Sequence, residues 1–377
     1  MPSAHEDSAA VYQHSSALQK LRQPHQGGQP LQVAFLDIDG TFSGTPSEQQ
    51  ALRDLLETRG FVVVLVTART SETCITKEAR EKSSAEIRQR PLANLVSYAT
   101  GKLKPGYPEE TPAFTGLRDP DAIIGTLGGE LAVRQVTGGY AADESYLAQA
   151  GAAPNEWRSQ VVETLHRLEQ TRGVSFGSLN PNEVGEHYRQ GKHGVYFPQY
   201  RIETCFESLH EQETFASALA EVQVQETTPA VIKQLTLTHE NAFAATPPVY
   251  KTYIQPQGMK KVDGVNRVYR QLHVNLSPSA KIEVLIAGDS PADLEMGLYG
   301  APKSQATFLI PGGAMLYQDL QSETLHNIRQ QMTKRQNNDT ITTGVYQFPN
   351  TSRQVILGDE AFPGTVGPQT LMAWLGQ

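Results

Sequence analysis

The segment LQVAFLDIDG, residues 31–40, ends an apolar run in two carboxylates two positions apart, with glycine directly after them. Strand side chains alternate faces with a period of two, so Asp37 and Asp39 leave the run on the same side. Two such charges repel unless a cation lies between them or one of them holds a proton. The pattern recurs along the chain: FVVVLVT closes in Thr67, and KIEVLIAGD closes in Asp289. None of these runs has an obligatory outward face, which is how strands of a parallel sheet covered on both sides read. Helical spacing fills the intervals. SEQQALRDLLETRG has Ser47 as a candidate N-cap and Gly60 as a stop, and SETCITKEAREKSSAEIRQR runs to Pro91. This alternation predicts an α/β fold with a parallel, Rossmann-like sheet. In such sheets ligands bind at the carboxyl ends of the strands, where this sequence places its polar groups.

The α/β pattern is interrupted. Residues 1–30 read as a mobile N-terminal extension with at most one short helix, Ala9 to Leu21, and Pro91 to Asp121 reads as a long proline- and glycine-rich loop. AIIGTLGGELAVRQV reads as a strand, a glycine turn and a second strand. From 140 to 250 the character is that of an inserted α+β domain: a helix from Glu156 to Thr171 with Asn155 as cap, strand-like runs around 193–208 and 230–238, and a helix from Glu211 to Val222. The core pattern then resumes, so that 31–139 and 251–377 form two sequence halves of one core domain around a 140–250 insertion. Beyond Pro311 a polar helix is expected at about 315–333, and 341–377 carries no pattern that assigns it.

Charge narrows the function. Against 32 Lys+Arg stand 40 Asp+Glu, a net −8, which excludes a sequence-independent nucleic-acid binder. An anionic substrate therefore needs a local basic pocket or a metal ion. The only cysteines, Cys74 and Cys205, make neither a disulfide framework nor a zinc pattern, so a reducing compartment is expected. No apolar run approaches the ~18–20 residues of a membrane span. The first residues lack the basic start and apolar centre of a secretion signal, so a soluble cytoplasmic protein with no membrane partner is expected. Nothing in the sequence bears on oligomeric state.

At the strand ends, Gly40 lets the backbone turn sharply and Thr41 adds a hydroxyl. Arg69 follows Thr67 by two. In GDSPAD, Asp289 sits at the strand end, Ser290 can cap the next helix, Pro291 suits its first turn, and Asp293 complements the helix dipole. YIQPQGMKK brings two lysines directly ahead of a helix.

DIDGT at 37–41, Thr67, a lysine before a helix and GDSPAD at 288–293 resemble, in this order, the four motifs of the haloacid dehalogenase superfamily of phosphohydrolases. The insertion resembles that family's type-two α/β cap. TLGGEL at 126–131 is similar to the Gly-Thr-Glu segment of sucrose-phosphate phosphatases, and IQPQGMKK resembles their Pro-x-Gly-x-x-Lys approach, which selects Lys261 over Lys260. The resemblance implies that Asp37 is a nucleophile forming an aspartyl-phosphate and Asp39 an acid/base. It further implies that Thr67 and Lys261 hold the phosphoryl group, with Gly40, Thr41 and Arg69 lining its site. Mg²⁺ would lie on Asp37, the backbone carbonyl of Asp39 and Asp289, with Asp293 orienting Lys261 or supporting the metal. Ala68 and Ala292 depart from the family pattern without removing a catalytic group.

Within the insertion, GEHYRQGKHGVYFPQYR offers His187, Tyr188, Arg189, Lys192, His193 and Tyr196 to hydroxyls and phosphate, with Arg189 the candidate retained; no third ligand supports zinc. Glu130, after Gly128 and Gly129, is the candidate for substrate hydroxyls. The expected activity is a Mg²⁺-dependent phosphatase of a small phosphate monoester, a sugar phosphate by preference. The alternatives are a phosphomutase or phosphotransferase on the same scaffold, or a non-catalytic sugar-phosphate-binding protein.

Overall fold

The computed structural model describes residues 10–23, 30–68, 74, 120–173, 200–206, 208–242, 249–277, 280–302, 304–321, 325–337, 340–349, 351 and 353–376. In chain order the strands are β1 (Leu31–Leu36), β2 (Val62–Val66), β3 (Ala122–Gly125), β4 (Glu130–Arg134), β5 (Tyr140–Ala142), β6 (Ile202–Phe206), β7 (Leu235–Ala242), β8 (Val249–Pro256), β9 (Ile282–Ala287), β10 (Gln305–Ile310), β11 (Thr333–Asn337), β12 (Thr340–Gln347) and β13 (Gln354–Leu357). Ten of them form one sheet in the order β11-β12-β13-β10-β9-β1-β2-β3-β4-β5. From β13 through β3 every neighbouring pair is parallel, and the strands at both margins are antiparallel.

The uninterrupted apolar runs have the reason expected of them. Val33 and Phe35 enter one hydrophobic cluster with Val62, Val64, Val284, Ile286 and Phe308, while Ala34 and Leu36 enter a second with Val63, Leu65, Leu285 and Leu309. Each of these strands is therefore buried on both faces over its last residues, and the polar positions Gln32, Glu283 and Thr307 stand in the first halves of β1, β9 and β10. The fold is an α/β Rossmann-like core carrying an inserted α+β element. That element contains a separate three-stranded antiparallel sheet, β6-β8-β7, with the helices Pro154–Arg172 and Leu209–Gln223.

Several local expectations are revised. The helix after β1 spans Pro46–Thr58 and is capped by Thr45 in a reciprocal box with Glu48, not by Ser47. Asn155 does not cap the insertion's first helix, because Pro154 already occupies its first turn. Residues 230–233 form a short helix, and the strand begins only at Leu235. The expected polar helix near 315–333 is two short helices, Met315–Gln321 and His326–Gln331, followed by β11.

Both ends of the chain contribute to the core. The sequence reads 1–30 as a mobile extension; among the described residues 10–23 of it, the helix Ser16–Arg22 is capped by Ser15, and Tyr12, Leu18 and Leu21 are buried in the main cluster. The unassigned region after 341 supplies β12 and β13, which widen the sheet beyond β10, and a helix Pro368–Leu375 that packs on Pro46–Thr58. Arg353, buried just before β13, donates its guanidinium to the carbonyls of Gly297 and Gly300 and so closes the C-terminal end of the helix Pro291–Tyr299.

Candidate active site

Strand order reverses between β1 and β9: the chain steps outward through β2 and β3 on one side and through β10 and β13 on the other. The crevice at such a switch point is where open parallel sheets bind ligands. Asp37 and Asp289 lie at its two lips. The register pairs Leu36 with Ala287, and the N–H of Asp37 donates to the carbonyl of Ala287 at 2.9 Å, so the two strand ends are level.

The loop after β1 is a single wide turn over Ile38–Phe42, closed by the N–H of Ser43 on the carbonyl of Ile38 at 2.7 Å. Gly40 has φ +77°, and a Cβ there would stand 2.0 Å from Asp289 Oδ2. Both the backbone conformation and the close approach require glycine, and together they seat this turn on Asp289. Thr41 is buried, and its hydroxyl has no hydrogen-bond partner among the described residues. Asp39 is half-buried at the same turn.

Lys261 opens the helix Lys261–Val274 and reaches into the crevice, donating to Asp37 Oδ1 at 2.8 Å and to Asp293 Oδ1 at 2.6 Å. The other oxygen of Asp293 accepts from the N–H and the hydroxyl of Ser290 at 3.1 and 2.7 Å, completing the helix cap. Oxygen atoms of Asp37, Asp289 and Asp293 lie within 4.8 Å of one another, and all three residues are buried. Burial raises the Asp37 carboxyl well above the usual carboxylate range; the ammonium of Lys261 opposes this, while Asp293, Asp289 and Asp39 add to it. For Lys261, burial alone would lower the pKa, and the charges of Asp293 and Asp37 reverse that, so it stays protonated. Were all three carboxyls ionised, two negative charges would stand unbalanced against the single ammonium. A divalent cation balances them, and an all-oxygen donor set suits a hard ion. The cluster can therefore coordinate a divalent metal.

Thr67 follows β2 directly and is fully buried; its N–H donates to Ile124 and its carbonyl accepts from the N–H of Leu127, both at 2.9 Å. The turn it touches is strained. Thr126 and Leu127 have φ of +47° and +60°, a conformation that costs of order 1–3 kcal/mol per non-glycine residue. Gly128 lies so close to the backbone of Lys260 that a Cβ would meet its carbonyl carbon at 2.3 Å. Glu130, 2% exposed, begins β4 just beyond. Arg69 and Arg189, with the other candidates between His187 and Tyr196, lie outside the described residues.

Two residues went unremarked in the sequence. Arg201, which closes the polar segment 185–201, donates to the carbonyl of Ala68 at 2.7 Å, with its guanidinium carbon 5.4 Å from the ring centre of Tyr253. Gln255, inside the IQPQGMKK segment, points its amide at the strained turn. The polar composition of both segments was the available signal.

No protein-family model matches the sequence, and no curated protein matches it. Solved structures do resemble the chain. The sucrose-phosphatase from Synechocystis, in complex with sucrose and phosphate, is 13% identical with a TM-score of 0.45, the match covering 92% of this chain and 97% of that one. A haloacid dehalogenase-like hydrolase protein from Bacillus subtilis is 11% identical with a TM-score of 0.40, over 93% and 96% of the two chains. A hypothetical protein from Geobacillus kaustophilus is 13% identical with a TM-score of 0.35, over 78% and 98%. These are likenesses in the course of the chain, and the chemistry of the crevice rests on the side chains that line it.

Proposed function

We propose that the chain is a Mg²⁺-dependent phosphatase of small phosphate monoesters, sugar phosphates preferred, acting in a reducing, cytoplasmic compartment. The observation that carries this reading is the ammonium of Lys261 held between Asp37 and Asp293 at the switch point, with Asp289 within reach of both. A nucleophile, a cation that grips phosphoryl oxygens and a carboxylate metal site thus converge on one position. The Asp37 carboxylate attacks phosphorus, forming an O–P bond as the bond to the ester oxygen breaks, and Asp39 gives that oxygen a proton. Asp39 then takes a proton from water, whose oxygen displaces Asp37 and releases inorganic phosphate. Thr67 and Lys261 hold the phosphoryl group throughout, and Asp293 keeps Lys261 in place. Asp37, Asp289 and the backbone carbonyl of Asp39 would hold Mg²⁺, which when bound neutralises charge on the transferring group.

We further assign the inserted element, the sheet β6-β8-β7 with its helices, as a cap that recognises the alcohol portion, with Glu130 at the start of β4 and Arg189 contacting hydroxyls or a second anionic group. The preference for sugars rests on the TLGGEL and IQPQGMKK segments. A screen of phosphate esters for phosphate release, with and without Mg²⁺, tests the reading. Release that needs a sugar acceptor would make the chain a phosphotransferase. Binding of sugar phosphates without turnover would make it a binding protein.

A further inference from the structure

We infer that Gln255 is a positioning residue that fixes Thr67 relative to Lys261, an inference that rests on the phosphoryl-holding role proposed for those two groups. Gln255 lies near the end of β8, in the three-stranded sheet, and is 1% exposed. Its Nε2 stands 3.3, 3.2 and 3.1 Å from the carbonyl oxygens of Thr126, Leu127 and Met259. The first two belong to the strained turn, and the third belongs to the segment that delivers Lys261 two residues later.

The chain of bonds is continuous. Thr67 accepts from Leu127, the carbonyl of Leu127 accepts from Gln255, and Gln255 also donates to Met259 on the approach to Lys261. Tyr146 holds the same turn from another side by donating to Gly128 at 2.8 Å, but that bond does not join the turn to residue 259. Gln255 joins them. The three facing carbonyls admit only donors, so the amide nitrogen must face inward, and Oε1 is left buried without a hydrogen-bond partner. An apolar side chain of the same length would fill this space without burying an unpaired oxygen. What the amide adds at this position is its donor side. The turn needs such a restraint, because positive φ at a β-branched residue persists only where its surroundings over-determine it.

The test uses the full-length protein with Gln255→Met, which keeps length and volume, and Gln255→Glu, which keeps shape but offers acceptors when ionised. Hydrogen exchange of the 122–131 segment should accelerate in both variants. kcat should fall about ten- to a hundredfold, and to the same degree for a sugar phosphate and an aryl phosphate, because the displaced groups serve the phosphoryl part common to both. Inhibition by inorganic phosphate should weaken in parallel. Combining Gln255→Met with Thr67→Ala should cost less than the sum of the single losses. Unchanged exchange, an unchanged kcat, strictly additive losses, or an effect confined to the KM of the sugar phosphate would each overturn the inference. If Gln255→Met fails to fold, Gln255→Glu carries the same readouts. A wild-type protein inactive on every ester would sink the phosphatase reading instead, and hydrogen exchange would still decide whether Gln255 holds the turn.

Discussion

Asp293 binds Lys261 with one carboxylate oxygen, at 2.6 Å, and caps its own helix with the other. One side chain thus serves the crevice and the helix that borders it, and the two duties separate by mutation. Asp293→Asn keeps an acceptor for Ser290 but loses the charge facing Lys261; Asp293→Ala loses both. Activity should fall severely in each variant, whereas a loss of stability of about 1 kcal/mol should appear only with alanine. Urea unfolding alongside the kinetics checks this, and an asparagine variant with full activity would remove Asp293 from the site.

Asp37→Asn is nearly isosteric at the end of β1 and should fold normally with no turnover. Asp39→Asn should lose about a hundredfold or more on a sugar phosphate, and distinctly less on a phenyl ester whose leaving group needs little protonation. Equal losses on the two substrates would deny Asp39 its acid role.

Chelation should stop activity and Mg²⁺ restore it. Asp289→Ala should raise the Mg²⁺ concentration needed for half-maximal activity far more than Thr67→Ala does, since only the former is a carboxylate of the cluster. Full turnover in excess chelator would show that the buried carboxylates are balanced in some other way.

A titration away from the crevice should appear in the stability of the fold. Asp319, in the helix Met315–Gln321, is half-buried, and desolvation pushes its carboxyl up to about 6. In the unfolded chain the same group loses its proton near pH 3.9, roughly the ordinary aspartate value. The folded state therefore binds more protons between these values, and stability from this group falls as pH rises through that window. Asp319→Asn should be more heat-stable than wild type at neutral pH, with the difference closing toward about pH 4. A difference in Tm that does not change with pH would contradict this.

Much of the core was legible because strands buried on both faces leave an apolar run, and because the first polar residue after such a run marks the strand's end. That rule alone located Asp37, Thr67 and Asp289. Asp293 and Lys261 were legible through helix-start chemistry, although the short bond between them depends on the helices Lys261–Val274 and Pro291–Tyr299 packing side by side, which no local pattern states. Gln255 and Arg201 were missed because a polar residue reads as solvent-facing until a second layer is known to cover it. The tail after 341 was unreadable because short strands and helices of four to eight residues carry too little periodicity to separate from loop.

The place of β1 in the sheet has a consequence for how the molecule is made. β1 is translated early, yet one of its two hydrogen-bonding partners, β9, follows only after β2 to β8 have left the ribosome. Until then a strand of Val33, Ala34, Phe35 and Leu36 presents a bare apolar edge to any other chain nearby. The carboxylates at its tip stand without their partners meanwhile, because Asp289 and Lys261 have yet to arrive. The crevice is thus one of the later things the nascent chain completes, and overproduction without chaperone support should give aggregates seeded at the first strand.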